Sequence, residues 1–201
     1  MHKDPLAKRL QQIKPFQVMA VLAKAKTMQD QGKDVVHLEI GEPDFSSPSG
    51  IIKAGMEALK SGKTHYTPAL GLPELRSAIA DYYAQSYRVD LTSERIAVTT
   101  GASGALLLLC ALLLDPGDEV LMSDPGYPCY RHFVSLFNGF PICIPVSAHT
   151  SFQLTASMID KTWNERTKMV ILASPSNPTG TTLNRDELNE IINTVSGRGG
   201  I

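Results

Sequence analysis

Apolar residues recur along this chain with two different rhythms, and the change from one to the other divides it. In residues 16–31, Val18, Val21, Leu22 and Met28 fall at near-helical spacing among lysines, and Gly32 ends the run, which predicts a helix. Residues 35–40 alternate as a short strand and run into the turn cluster Gly41-Glu42-Pro43-Asp44. Ser47 as an N-cap, with Pro48 in the first turn, opens a second helix that Gly62 closes. After a loop over 64–71, Pro73 opens a third, whose face carries Leu75, Ile79, Tyr82 and Tyr83. From Arg95 onward the rhythm becomes an alternation. Strands are expected over 95–100, 119–122, 142–146 and 168–173, and helices over 103–114, 127–137, 156–162 and 185–195. The run from Ala105 to Leu114 is apolar on every side and reads as a helix buried on most of its faces. Strands alternating with helices imply βαβ units and a parallel sheet, an α/β fold.

Composition narrows the classes without choosing one. The chain has 201 residues, 43% hydrophobic and 19% charged, enough for one substantial domain with a core. A net charge of -1 gives no bulk attraction to nucleic acid or acidic membranes, and neither is expected as a partner. The longest apolar run is about half of the roughly 20 residues a membrane span needs. The opening MHKDPLAKRL is charged and no apolar leader core follows, so a cytoplasmic location is expected. Cys110, Cys129 and Cys143 are odd in number and lie in no CxxC or Cys/His cluster. They read as small buried hydrophobes or free thiols, with no zinc or other metal expected.

Open parallel sheets bind ligands beyond the carboxyl ends of their strands. Three unusual loops are expected there: Thr100-Gly101-Ala102-Ser103-Gly104, Asp124-Pro125-Gly126-Tyr127-Pro128 and Ser174-Pro175-Ser176-Asn177-Pro178-Thr179-Gly180. Small residues at a helix start suit a phosphate, although a tight turn with a serine cap fits the same residues. Tyr127 suits stacking on a planar ring, or a place in the core. Asn177, between two prolines, suits a hydrogen bond to a ligand oxygen, or simply the turn geometry. Neither the P-loop nor the dinucleotide glycine pattern is present.

Taken together and in order, GEPDF (from Gly41), YTPALGLPELR (from Tyr66), TTGASGAL (from Thr99), DPGDEV (from Asp115), DPGYP (from Asp124) and SPSNPTG (from Ser174) change the picture. This set resembles the class I and II aminotransferases, enzymes of pyridoxal 5′-phosphate (PLP) fold type I. The resemblance implies an incomplete parallel-sheet large domain over 47–201, preceded by an N-terminal arm and part of a small domain over 1–46. In the implied sheet order the 119–122 strand lies between 142–146 and 168–173, and three strands from later in the chain separate 95–100 from 168–173. It also implies roles. Ala102 and Ser103 match the phosphate cup, Tyr127 the aromatic stacked on the pyridine ring, and Asn177 the partner of the ring's phenolic oxygen. Gly41 matches a backbone position near the substrate carboxylate, where Asn177 also serves. Tyr66 matches a tyrosine that reaches the phosphate of a neighbouring subunit, so a homodimer is implied for the full-length protein.

The implied activity is amino-group transfer between an amino acid and a 2-oxo acid, in amino-acid metabolism or biosynthesis. A carbon–sulfur lyase or a cyclopropane-forming synthase shares the same cofactor contacts, and a non-catalytic module of the same fold is a further alternative. The family's Schiff-base lysine, its pyridinium-pairing aspartate and its carboxylate-binding arginine all lie beyond the SNPTG segment. The chain ends about twenty residues past that segment. Lys161 and Lys168 read as exposed charges at a helix end and a strand start. The 201 residues alone are therefore expected not to transaminate.

Overall fold

In the computed structural model, which describes residues 6–201, the strand β1 (Glu119–Asp124) organises the C-terminal half. Its first four residues are all buried, which a strand achieves only when both sheet faces are covered. It pairs in parallel with β2 (Phe140–Pro145) on one side and β3 (Thr167–Ile171) on the other, in the order β2-β1-β3. The expected central position of this strand is thus observed.

Alternation along the strands sends side chains to two separate cores. Val120, Met122 and Met169 pack with Cys110 and Leu114 and with Val134 of α5 (Cys129–Leu136). Leu121 and Ile144 face the other way, towards Ile159 of α6 (Ala156–Thr162) and Ile191 and Val195 of α7 (Arg185–Gly197). Helix α7 starts on a capping box: the Asn184 side chain accepts from the Glu187 amide at 2.9 Å, and Glu187 accepts from the Asn184 amide at 2.8 Å. At the amino end of β1, the buried Glu119 carboxylate accepts from Asn164 Nδ2 at 2.7 Å and pairs with Arg166.

The chain forms two compact units, one of the described residues up to Gln17 with Leu106–Ile201, the other Val18–Ala105. The first holds the sheet and both cores. The second contains α1 (Gln17–Asp30, apart from its first residue), α2 (Ser49–Lys60) and α3 (Pro73–Tyr87). Pro73 opens α3 as expected, and α3 ends on Arg88 in a left-handed conformation. Arg76 ties α3 to the following segment: Nε donates to Ile96 O at 2.8 Å and Nη2 to Ser93 O at 2.6 Å. The boundary falls within α4 (Gly101–Leu113). The charged start of the chain, read above for a leader, lies partly outside the described residues.

Several sequence expectations are corrected. Residues 35–40 form no strand: Val36 and Leu38 are exposed, and alternation without a neighbouring ladder is not enough. Residues 95–100 are likewise not a strand. Ser93–Arg95 is a short 3-10 turn, and the segment after it is held by Val98 N–H donating to Leu70 O at 3.0 Å, with no strand beside it among the described residues. Ser47 does not cap α2, whose N-cap is Pro48. Helix α4 begins two residues earlier than expected and is not buried on most faces. Cys110 is its buried residue, while Leu107, Leu108, Leu109 and Leu112 are exposed, because one stripe of the helix suffices to cover a three-stranded sheet.

Candidate active site

Parallel pairing puts the carboxyl ends of β1 and β3 at one edge of the sheet, and two of the expected site residues follow directly from those ends. Tyr127 lies three residues past β1. It is half-buried, and two rings meet it T-shaped rather than stacked: Tyr130 at 5.3 Å between centroids and Phe16 at 6.3 Å, both at 78°. Gly126 before it admits no side chain, since a Cβ there would come 2.5 Å from the Ser123 carbonyl oxygen.

Asn177 is exposed in the loop after β3. The loop closes on itself. Ser176 N–H donates to Thr181 O at 2.8 Å, Gly180 N–H donates to Ser176 O at 2.7 Å, and Leu183 N–H donates to Ser174 Oγ at 2.9 Å. Ser176 is buried beneath it, and Gly180 takes the left-handed φ of +71° that the return requires.

In the other unit, Gly101, with φ +71°, starts α4, and Ala102 and Ser103 follow as exposed first-turn residues. A Cβ on Gly104 would sit 2.9 Å from Thr100 Oγ1, a contact the Thr100 side chain would have to turn aside to relieve. Helix starts leave amides without intrahelical partners, and small side chains let an anion reach them. Gly41 has open space around it, and Tyr66 is fully exposed. The four residues Gly41, Tyr66, Ala102 and Ser103 thus belong to one unit, and Tyr127 and Asn177 to the other.

Near the ring-bearing loop, burial pushes the Tyr130 hydroxyl and the Cys143 thiol above their ordinary values. Burial, with a contribution from the Arg131 charge, pushes His132 below its own. Lys161 and Lys168 are exposed, as expected. The cysteines are free, Cys110 being buried. Among the described residues no His/Cys/Asp/Glu group suits a metal ion, and no helix is long and apolar enough to cross a membrane.

Two contacts at this edge were not legible in the sequence. Phe16 packs on Tyr127, although it stands outside the alternating part of the chain. Gln153, buried, reaches the Asn177 loop from the segment before α6, and a lone glutamine there carries no pattern that marks it.

Residues 33–201 match the family model described as aminotransferase class I and II. The chain belongs to this family. Its members depend on PLP. Relatives of this aminotransferase chain include the (5-formylfuran-3-yl)methyl phosphate transaminase of Methanocaldococcus jannaschii, 39% identical over 90% of this chain and 47% of that protein. The probable aspartate/prephenate aminotransferase of Aquifex aeolicus is 38% identical over 92% and 47%. The crystal structure of an aminotransferase from Mycobacterium tuberculosis superposes with a TM-score of 0.93 at 36% identity, covering 98% of this chain and 51% of that one. Thermus thermophilus aspartate aminotransferase with maleate gives 0.93 at 33% identity, covering 98% and 52%. The chain thus spans about half the length of the relatives it matches.

Proposed function

We propose that the protein carrying this chain is a PLP-dependent aminotransferase that moves an amino group between an amino acid and a 2-oxo acid. The observation that carries the reading is the placement of Tyr127 and Asn177 just past the carboxyl ends of adjacent parallel strands, in a chain of this family. Taken one at a time, the residues present suit parts of the cofactor. The α4 start, with Ala102 and Ser103, would hold the phosphate. Tyr127 would lie against the ring, and Asn177 would donate to its phenolic oxygen. When bound, PLP supplies an electron sink for charge developing at the substrate Cα and carries the amino group between half-reactions.

The chain's own residues orient and hold. The Tyr127 ring, braced T-shaped by Phe16 and Tyr130, would set the plane in which a flat ligand lies. The Asn177 amide, on a loop closed by two backbone bonds, would donate to the phenolic oxygen, draw charge on that oxygen towards itself and so fix the rotation of the ring. Gly41 would leave room for the substrate carboxylate beside a backbone amide. Tyr66, fully exposed, would extend to the phosphate bound by a second copy, making the active form a cytoplasmic homodimer. In this proposal residues 1–46 act as arm and small-domain segment, and 47–201 as part of the cofactor-binding large domain.

Several relatives are named for aspartate, so aspartate with 2-oxoglutarate is the first pair to assay. The protein carrying this chain should convert them to oxaloacetate and glutamate in equal amounts. Ser103→Ala should raise the PLP concentration required, and Asn177→Ala should slow the exchange about tenfold or more. Release of free ammonia or sulfide from amino acids without appearance of a new amino acid would instead assign a lyase.

A further inference from the structure

The loop that bears Asn177 is pinned from outside by one side chain. Gln153 is 5% exposed, and its carboxamide nitrogen donates to Thr181 O at 2.8 Å, with longer contacts of 3.3 Å to Ala173 O and Thr181 Oγ1. The two carbonyl acceptors identify that end of the amide as the nitrogen. Ala173 is on the stem entering the loop and Thr181 on the stem leaving it, so a single amide bridges its mouth. Thr181 O also accepts from Ser176 N–H, the residue before Asn177. The bond from Gln153 therefore bears on the same oxygen that closes the turn around Asn177.

The segment that delivers Gln153 is itself over-determined. Ser151 and Phe152 both take left-handed backbone, φ 50° and 54°, which is costly for non-glycine residues and most of all for a bulky one. Three backbone bonds hold them: Ser151 N–H to Ala148 O at 3.1 Å, Phe152 N–H to Ser147 O at 2.8 Å and Gln153 N–H to Thr150 O at 2.9 Å. Immediately after Gln153, Leu154 is buried in the core and Thr155 caps α6 by accepting from the Met158 amide at 3.2 Å. Gln153 thus reaches the loop from a base with little freedom to move.

We propose that Gln153 is a positioning residue that holds the Asn177 loop in the conformation in which Asn177 meets the cofactor. This rests on the role proposed for Asn177 above. A glutamine that merely satisfied buried carbonyls would contribute to folding but would not act through Asn177, and the two cases separate in a double-mutant cycle.

The test uses the protein carrying this chain and pyridoxamine 5′-phosphate as the probe, because that ligand binds without a covalent link to any lysine. Its dissociation constant is measured for wild type, Asn177→Ala, Gln153→Met and the double variant. Methionine matches glutamine in length and has no donor. Asn177→Ala should weaken binding about tenfold and Gln153→Met about fivefold, the range a single hydrogen bond supports. The double variant should bind as Asn177→Ala does, within about twofold. In Gln153→Met the Ser176 and Gly180 amides should exchange with solvent at least fivefold faster, a larger change than at Leu121 and Met122.

Should Gln153→Met lose the fold, Gln153→Glu carries the test. It keeps the shape, and its ionised form cannot donate to Thr181 O. Wild-type affinity in the Gln153 variant alongside weakened Asn177→Ala overturns the inference, as does a double variant in which the two losses multiply. Wild-type affinity in Asn177→Ala, with Ser103→Ala still weakened, overturns the role of Asn177 and takes the inference with it.

Discussion

Gly126→Ala should damage ligand binding and turnover far more than its single added methyl suggests. A Cβ at this position would sit 2.5 Å from Ser123 O and 3.1 Å from Ser123 Oγ. Ordinary contact begins at 3.4 Å, so something must yield by about 0.9 Å, the difference between 3.4 and 2.5. Ser123 is paired in the β1–β2 ladder opposite Ile144 and cannot retreat without loosening the sheet. The loop moves instead, and Tyr127 is the next residue along it. Overpacking of this kind costs about 1–3 kcal/mol of stability. An aromatic contact is worth about 0.5–1.5 kcal/mol beyond its buried area, so displacing Tyr127 should weaken pyridoxamine 5′-phosphate binding about two- to tenfold. A misplacement of about 1 Å at a reacting centre costs up to about 100-fold in rate, so kcat should fall further than affinity.

The assay is a fluorescence titration with pyridoxamine 5′-phosphate and a steady-state aspartate:2-oxoglutarate assay on the protein carrying this chain. Gly55→Ala serves as the control. It lies within α2, nothing approaches its Cβ position within 4 Å, and alanine there should raise stability by about 0.5–1 kcal/mol. A Gly126→Ala protein that melts like wild type and binds and turns over normally would refute the reasoning about both the contact and the role of Tyr127.

Three further outcomes are expected. Arg166→Ala should lower stability by about 1–3 kcal/mol, read from the urea midpoint. It leaves the buried Glu119 carboxylate with Asn164 as its remaining side-chain donor, and Glu119→Gln should cost less because no charge is stranded. Arg88→Gly should be stabilising by about 0.5–1 kcal/mol in thermal melts, because Arg88 ends α3 at φ 56°, where glycine avoids the left-handed penalty at some cost in unfolded-state entropy. His132 is held below its ordinary value, chiefly by burial and then by Arg131, so the unfolded chain binds its proton first as pH falls. Its contribution to stability is therefore present above the ordinary histidine value of 6.5 and is lost as pH falls through that value towards the depressed one. His132→Gln should flatten the fall in urea midpoint between about pH 7 and pH 5.

What the sequence disclosed follows from where the information resides. Strand β1 and helices α6 and α7 were legible because their apolar positions match contacts on neighbouring elements close in the chain, and α6 falls where expected, over Ala156–Thr162. The loops bearing Tyr127 and Asn177 were legible from glycine and proline placed after apolar strands. Residues 35–40 and 95–100 were misread because alternation shows only that a strand is possible, while a ladder requires a partner that local sequence does not name. The exposure of Leu107, Leu108, Leu109 and Leu112 was hidden for a similar reason: an apolar helix does not state how wide a sheet it covers. Ser47-Pro48 suggests a serine cap that α2 does not use, whereas the spacing Asn184-x-x-Glu187 is the capping box that α7 does use. Gln153 left no trace at all, because its position depends on two left-handed residues, Ser151 and Phe152, that no propensity would place there.

The two ends of β1 differ in how their polar groups are used. At the amino end the polar groups are spent on one another. Glu119 is buried with Asn164 and Arg166, and the turn before it closes with the Asp115 amide donating to the Asp118 carboxylate at 2.9 Å. At the carboxyl edge the Asn177 loop is held by backbone bonds, by Ser174 Oγ and by the buried Gln153, while Asn177 itself stays exposed. A loop tied by the Ser176 and Gly180 amides and by Gln153, with its asparagine exposed, has little to gain in folding energy from that asparagine. Alanine at Asn177 should accordingly leave the urea midpoint nearly unchanged while weakening pyridoxamine 5′-phosphate binding, whereas methionine at Gln153 should lower both. If Asn177→Ala proves as destabilising as Gln153→Met, the asparagine is there for the turn and not for the cofactor.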